Sequence, residues 1–164
     1  GSTGPDSANT PLVAVGDVPY NGSNPPKSLN AEFNFLRLTG RIVRDGDVVP
    51  VEPGRPVVVE ASVGNTAEAR WLARPDASAG TVCLSAQMGE KRILGDIEAD
   101  TAFLHDARVP EFELAKRVEL PVVVTFRMTA KGRADFGEVI RVRLQPVSAL
   151  AKRHPERHSQ ENQK

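Results

Sequence analysis

The chain has 164 residues, enough for one domain with extended ends. Its 21 Lys and Arg balance 21 Asp and Glu, so the basic excess that neutralising many phosphates requires is missing, and nucleic acid is set aside as a partner. Cys83, the single cysteine, excludes an intrachain disulfide and a cysteine-rich zinc site, and no apolar stretch approaches the roughly 20 residues of a membrane helix.

Residues 1–28 are rich in Pro, Gly, Ser and Asn, as in Tyr20-Asn21-Gly22-Ser23-Asn24-Pro25-Pro26. Such a segment buries too little apolar surface to offset its ordering entropy, so a flexible linker is expected, with a short edge strand at 12–15 as the one exception. Gly1-Ser2 resembles a cloning remnant, so the chain is expected to be a piece of a longer protein. Folding is expected over 29–148. Phe33 and Phe35 begin a strand that runs through Leu38 and breaks at Gly40. Asp45-Gly46-Asp47 is a tight turn, and Glu52-Pro53-Gly54-Arg55 has Pro and Gly placed for a type II turn.

Beyond that turn the signal is a period of two. Val57, Val59, Ala61 and Val63 alternate with polar or solvent-tolerant residues. Val82, Leu84, Ala86 and Met88 repeat the pattern, followed by Leu120, Val122, Val124, Phe126 and Met128, and then Ile140, Val142 and Leu144. Each run predicts a strand with one buried face. Residues 101–105 make one helical turn at most, and Lys131-Gly132-Arg133 joins the last two strands. About seven to nine strands with turns every ten residues or so predict an all-β, two-sheet antiparallel sandwich. Residues 149–164 are polar and apolar-poor, so both termini are expected to be disordered.

Four features carry chemistry. If extended, Asp96-Ile97-Glu98-Ala99-Asp100 puts Asp96, Glu98 and Asp100 on one strand face, with His105, Asp106, Glu111 and Glu113 nearby. A cluster of hard oxygen ligands of this kind suits calcium, although the spacing fits no EF-hand loop. Arg127, Arg141 and Arg143 alternate with core positions, so all three should point outward from one hairpin. There they can grip a carboxylate, sulfate or phosphate, or pair with Glu119, Glu138 or the acidic run. Trp71, the sole tryptophan, is either a stacking platform for a sugar ring or a plug at the sandwich centre. Cys83 lies mid-strand with no His or Lys beside it in sequence, which reads as a packed thiol.

Catalytic motifs are absent from the sequence. There is no Gly-x-Ser-x-Gly elbow, no Cys–His pairing and no phosphate-cradling glycine loop. Asp135-Phe136-Gly137 matches a kinase triplet without the rest of the kinase set, so Phe136 is expected to tuck under the sandwich. His154 and His158 stand four apart, but Pro155 between them opposes a metal-binding helix face. The reading is a non-enzyme.

Three fragments resemble a bacterial immunoglobulin-like sandwich module. The strand ending Val63-Gly64-Asn65-Thr66 followed by Trp71 is similar to the "strand, Asn-Thr-Gly, Trp" passage of accessory domains on carbohydrate-acting enzymes and surface proteins, and to the four-tryptophan domain of autophagy receptors. The stretch from Arg117 to Met128 resembles the penultimate strand of such modules, and Gly132 to Gly137 their closing passage. The resemblance implies an immunoglobulin-like fold and a non-catalytic accessory or spacer module of an exported bacterial protein. Its place would be extracellular, at the cell surface or in the periplasm. Its partner would be a glycan, another protein reached through a sheet edge or loops, or a neighbouring domain of the same chain.

Overall fold

A computed structural model describes residues 28–73, 80–114 and 118–147. The expected linker, the strand at 12–15 and the expected tail lie outside the described residues. Nine strands occur among those described: β1 (Ala31–Leu38), β2 (Arg41–Ile42), β3 (Val48–Val51), β4 (Val58–Asn65), β5 (Val82–Met88), β6 (Lys91–Asp96), β7 (Asp106–Glu113), β8 (Val122–Ala130) and β9 (Ala134–Pro146). They form a four-stranded sheet in the order β2-β1-β4-β7 and a five-stranded sheet in the order β3-β9-β8-β5-β6. Among the described residues no helix is long and apolar enough to cross a membrane.

The four alternating runs become β4, β5, β8 and β9 with the expected phase. Val59, Ala61 and Val63 of β4 meet Leu84, Val124, Phe126, Met128, Val142 and Leu144 between the sheets, all of them fully buried. Burial of this kind is the main favourable term in folding, at about 25 cal/mol per Å² of apolar surface. The turn at 52–55 closes as its sequence suggests: the Arg55 N–H donates to the Glu52 carbonyl at 3.2 Å, and Gly54 takes φ +85°.

Three features depart from the sequence reading. A register shift between Phe33 and Phe35 reverses the phase of β1, so both rings are half-buried while Leu36 and Leu38 fill the core. Pairing is antiparallel throughout except that β3 runs parallel to β9. The chain reverses twice, at Thr39-Gly40 and at Asp45-Gly46, and so brings β3 to the second sheet in the direction of β1. β6 and β7 replace the expected carboxylate run and its surroundings. Their inward positions offer little apolar signal, since Gly95 faces in from β6 and Pro110 interrupts β7.

The sheets are also joined at their margins. Gly95 leaves room for the Phe112 ring; a Cβ there would lie 2.2 Å from Phe112 Cε1. On the other margin the Phe33 N–H donates to Glu138 Oε1 at 2.8 Å, and Gly137 (φ +83°) passes so close to Ala31 that a Cβ would meet the Ala31 Cβ at 2.7 Å. One end is closed by Asn65, which is fully buried. Its side-chain amide donates to the Ala69 carbonyl (2.9 Å) and the Thr101 carbonyl (3.0 Å), and its Oδ1 accepts from the Ala67 N–H (3.2 Å). Trp71 and Thr101 exchange two backbone hydrogen bonds beside it, both 2.9 Å.

Two substitutions test this architecture. Phe126→Ala should cost roughly 3–5 kcal/mol by chemical denaturation, since a fully buried ring leaves a cavity; a loss below about 1 kcal/mol would contradict the phase of β8. Asn65→Ala orphans the Ala69 carbonyl and the Ala67 N–H in an apolar site, leaves the Thr101 carbonyl with the Trp71 N–H alone, and should cost about 3 kcal/mol in the same assay.

Candidate functional site

The outward face of the five-stranded sheet can be read from its register. One row runs Arg92–Gln87–Thr125–Arg141 across β6, β5, β8 and β9. A second holds Val123 and Arg143 and ends at Val48 on β3. A third holds Leu94, Ser85 and Arg127, and a fourth runs Asp96–Cys83–Thr129–Asp135. All three sequence-predicted arginines therefore lie on this face, as their alternation with Phe126, Ile140 and Val142 implied.

They do not act as one cluster. Arg141 and Arg143 are exposed and next to each other on one face of β9, flanked by Val48 and Val123, which are 48% and 41% exposed. Among the described residues neither has an ion-pair partner. The carboxylates that stand near them are otherwise engaged: Asp45 accepts the backbone N–H of Arg141 at 2.8 Å, and Glu138 accepts that of Phe33. The outer face of the other sheet is the contrast. There Glu60 pairs with both Arg37 (2.7 Å) and Arg108 (3.1 Å), and Arg37 also sits over the Phe35 ring at 4.6 Å.

Arg127 belongs to a different group. Between Phe126 and Met128 the pairing with β9 shifts, because residues 137–139 bulge opposite Arg127 alone. The insertion separates Arg127 from Arg141 and turns its charge toward Asp135, and its Nε is buried without a partner. Arg92 reaches across the face to Asp135 at 2.5 Å. Partial burial alone would raise the Asp135 carboxyl; hydrogen bonds from Thr129 and Arg92 and the charges of Arg92 and Arg127 outweigh it and hold the group below its ordinary value. Beside the β8–β9 turn these side chains line an open hollow of about 300 Å³ with Gly132 and Arg133.

Cys83 lies under the same end of the face. It is fully buried, and its thiol donates to Asp96 Oδ1 at 3.3 Å. Burial, reinforced by that hydrogen bond and by the Asp96 charge, pushes its pKa from 9.0 up to about 12, against the pull of Lys131 and Arg92.

The remaining candidates are dispersed. Asp96, Glu98 and Asp100 do not share a face, because β6 ends at Asp96 and the chain bends at Glu98 and Ala99. Asp96 takes the Cys83 thiol, while Asp100 accepts the Ala73 N–H at 2.8 Å and pairs with Arg70 at 3.7 Å. At Glu98 it is the backbone N–H that bonds, to the Arg108 carbonyl at 2.7 Å. Among the described residues no three His, Cys, Asp or Glu side chains converge where a metal ion could be held. Trp71 is the core plug and offers no stacking surface: it is 0% exposed, with the buried Phe136 ring edge-on at 5.7 Å.

Sequence reasoning passed over one feature, the tip at Phe103-Leu104. These side chains are 46% and 73% exposed, and Leu104 holds φ +69°, a conformation costly for a non-glycine residue. The Asn65 backbone fixes it, accepting from the Leu104 N–H and donating to the His105 carbonyl.

No family model and no curated protein sequence matches this chain. The inference of function therefore rests on the site.

The thiol gives a direct check on this face. In the native domain Cys83 should resist a thiol reagent at pH 8 and react only after unfolding. The stability that its protonated state contributes is complete below about pH 9 and falls as pH rises toward 12, because the unfolded chain ionises first. Rapid native-state labelling at pH 8 would contradict the burial.

Proposed function

We propose that this domain is a non-catalytic binding or spacer module of an exported bacterial protein, working outside the cytoplasm or at the cell surface. It holds a glycan against the outer face of its five-stranded sheet. The observation that carries the reading is the Arg141–Arg143 pair, two exposed guanidinium groups without ion-pair partners on a rigid strand, set between Val48 and Val123. Guanidinium groups present planar donor forks to carboxylates and hydroxyls, and the flanking valines give the apolar ledge on which a sugar ring can rest. A sheet built on a packed core positions such groups with little loss of side-chain order.

The strand order supports an immunoglobulin-like assignment. One sheet places β1, β4 and β7 side by side, the other β9, β8, β5 and β6, and β3 leaves the first sheet to pair in parallel with the last strand. This arrangement agrees with the resemblance carried by Asn65, Trp71 and the closing strand.

A second reading, docking onto another protein, draws on the Phe103-Leu104 tip. An exposed apolar pair held in a strained turn suits a loop contact. Strand addition is less suited to two of the four edge strands, since β3 and β7 carry Pro50 and Pro110, and β2 has only two residues.

Affinity electrophoresis through gels containing bacterial glycans tests the first reading. The wild-type domain should be retarded by at least one glycan, and the Arg141→Ala, Arg143→Ala double variant should run freely with an unchanged melting temperature. Equal retardation of the two proteins would remove the arginine pair from the site.

A further inference from the structure

We propose that the ligand is a linear acidic polysaccharide and that one chain of it lies across two cationic stations of this face: Arg141 with Arg143, and the hollow at the β8–β9 turn lined by Arg92, Arg133 and Asp135. The proposal rests on the glycan-binding reading above and names the substrate class.

Charge segregation is the first argument. The whole chain is neutral by formal count, yet this face and its turn carry five arginines and Lys131 against Asp96 and Asp135, with Asp45 and Glu138 at the margins. Among the described residues Arg92–Asp135 is the one ion pair made there, and Asp96 is engaged by the Cys83 thiol. On the opposite face Arg37 and Arg108 both pair with Glu60. Unpaired cations gathered on one side of a neutral protein give a local field that favours an anionic partner.

Spacing is the second. Thr125 stands opposite Arg141 and Thr129 opposite Asp135, so four residues of β8, about 13 Å, separate the stations. A single sugar cannot touch both, whereas an extended oligosaccharide can. The outward residue of β8 between them is Arg127, and Thr125 beside Arg141 and Gln87 in the same row offer a hydroxyl and an amide to ring hydroxyls at the first station.

The third argument separates a polysaccharide from a nucleic acid. Asp135 accepts hydrogen bonds from hydroxyls, which a polysaccharide offers along its whole length and a DNA backbone does not. The hollow measures about 300 Å³ and is open to solvent. Guanidinium and carboxylate side by side match a sugar that carries both an acid group and hydroxyls. No aromatic ring stands in the outward rows of this face to stack a base.

The test is a titration of the full chain with polygalacturonate, galacturonic acid, dextran sulfate, dextran and a single-stranded oligothymidylate. Polygalacturonate or dextran sulfate should bind and weaken with salt, and which of them binds assigns carboxylate or sulfate as the anion. Galacturonic acid should bind at least a hundredfold more weakly than polygalacturonate. Arg133→Gln and the Arg141→Ala, Arg143→Ala double variant should each lose about tenfold or more, with melting temperatures unchanged. Dextran binding as tightly as its sulfate would overturn the acidic class while leaving a glycan module in place. An Arg133→Gln variant that binds like wild type would overturn the second station. Tighter binding of the oligothymidylate would replace the polysaccharide with a nucleic acid. Binding to no saccharide at all would remove both this proposal and the function on which it rests.

Discussion

One buried carboxamide holds together the end of the sandwich on which the rest is registered. An asparagine amide supplies two donors and an acceptor in a single plane, and at Asn65 all are used within the protein. The last residue of β4 thereby fixes the loop that delivers Trp71, the bridge from Trp71 to Thr101 and the strained turn leading into β7. Without it the Ala69 carbonyl and the Ala67 N–H would be desolvated and unpaired, an outcome that protein interiors avoid. With that end pinned, Trp71 seats against Phe136, and the start of β9 is drawn over the core.

The two faces of the molecule answer the same composition in opposite ways. On the four-stranded sheet, Glu60 stands between two arginines and pairs with both. On the five-stranded sheet, Asp45 and Glu138 accept backbone N–H groups and, among the described residues, make no ion pair with Arg141 or Arg143, so those guanidinium groups keep their hydrogen-bonding capacity for something else. Asp45 and Glu138 thus act indirectly, by closing a turn and a sheet margin in place of quenching the charge beside them. Net charge, which is zero, conceals this arrangement entirely.

Much of the fold was legible because β4, β5, β8 and β9 alternate cleanly and each buries one face. The phase of Arg127, Arg141 and Arg143 followed from the same alternation. What was not legible came from insertions that leave no period behind. The bulge at 137–139 divides the arginines into two groups, and the shift at Phe33/Phe35 gives the core to Leu36 and Leu38. β6 escaped notice because an inward glycine accommodates an aromatic ring from the neighbouring sheet, so its apolar partner sits on another strand. The acidic run looked like a ligand set only on the assumption of extended chain, which the bend at Glu98 and Ala99 ends.

The burial of Trp71 has a spectroscopic consequence. As the only indole in the chain, sealed in the interior and flanked by Phe136, it should emit at the short wavelengths of an apolar environment and move to the red only when the sandwich opens. Intrinsic fluorescence is then a clean gauge of unfolding in this domain and a poor gauge of occupancy, because nothing that settles on the outer arginines changes the solvent around the ring. A signal for recognition has to be introduced as a dye on the surface, and Cys83, shut away beneath Arg92, is not the handle for attaching one.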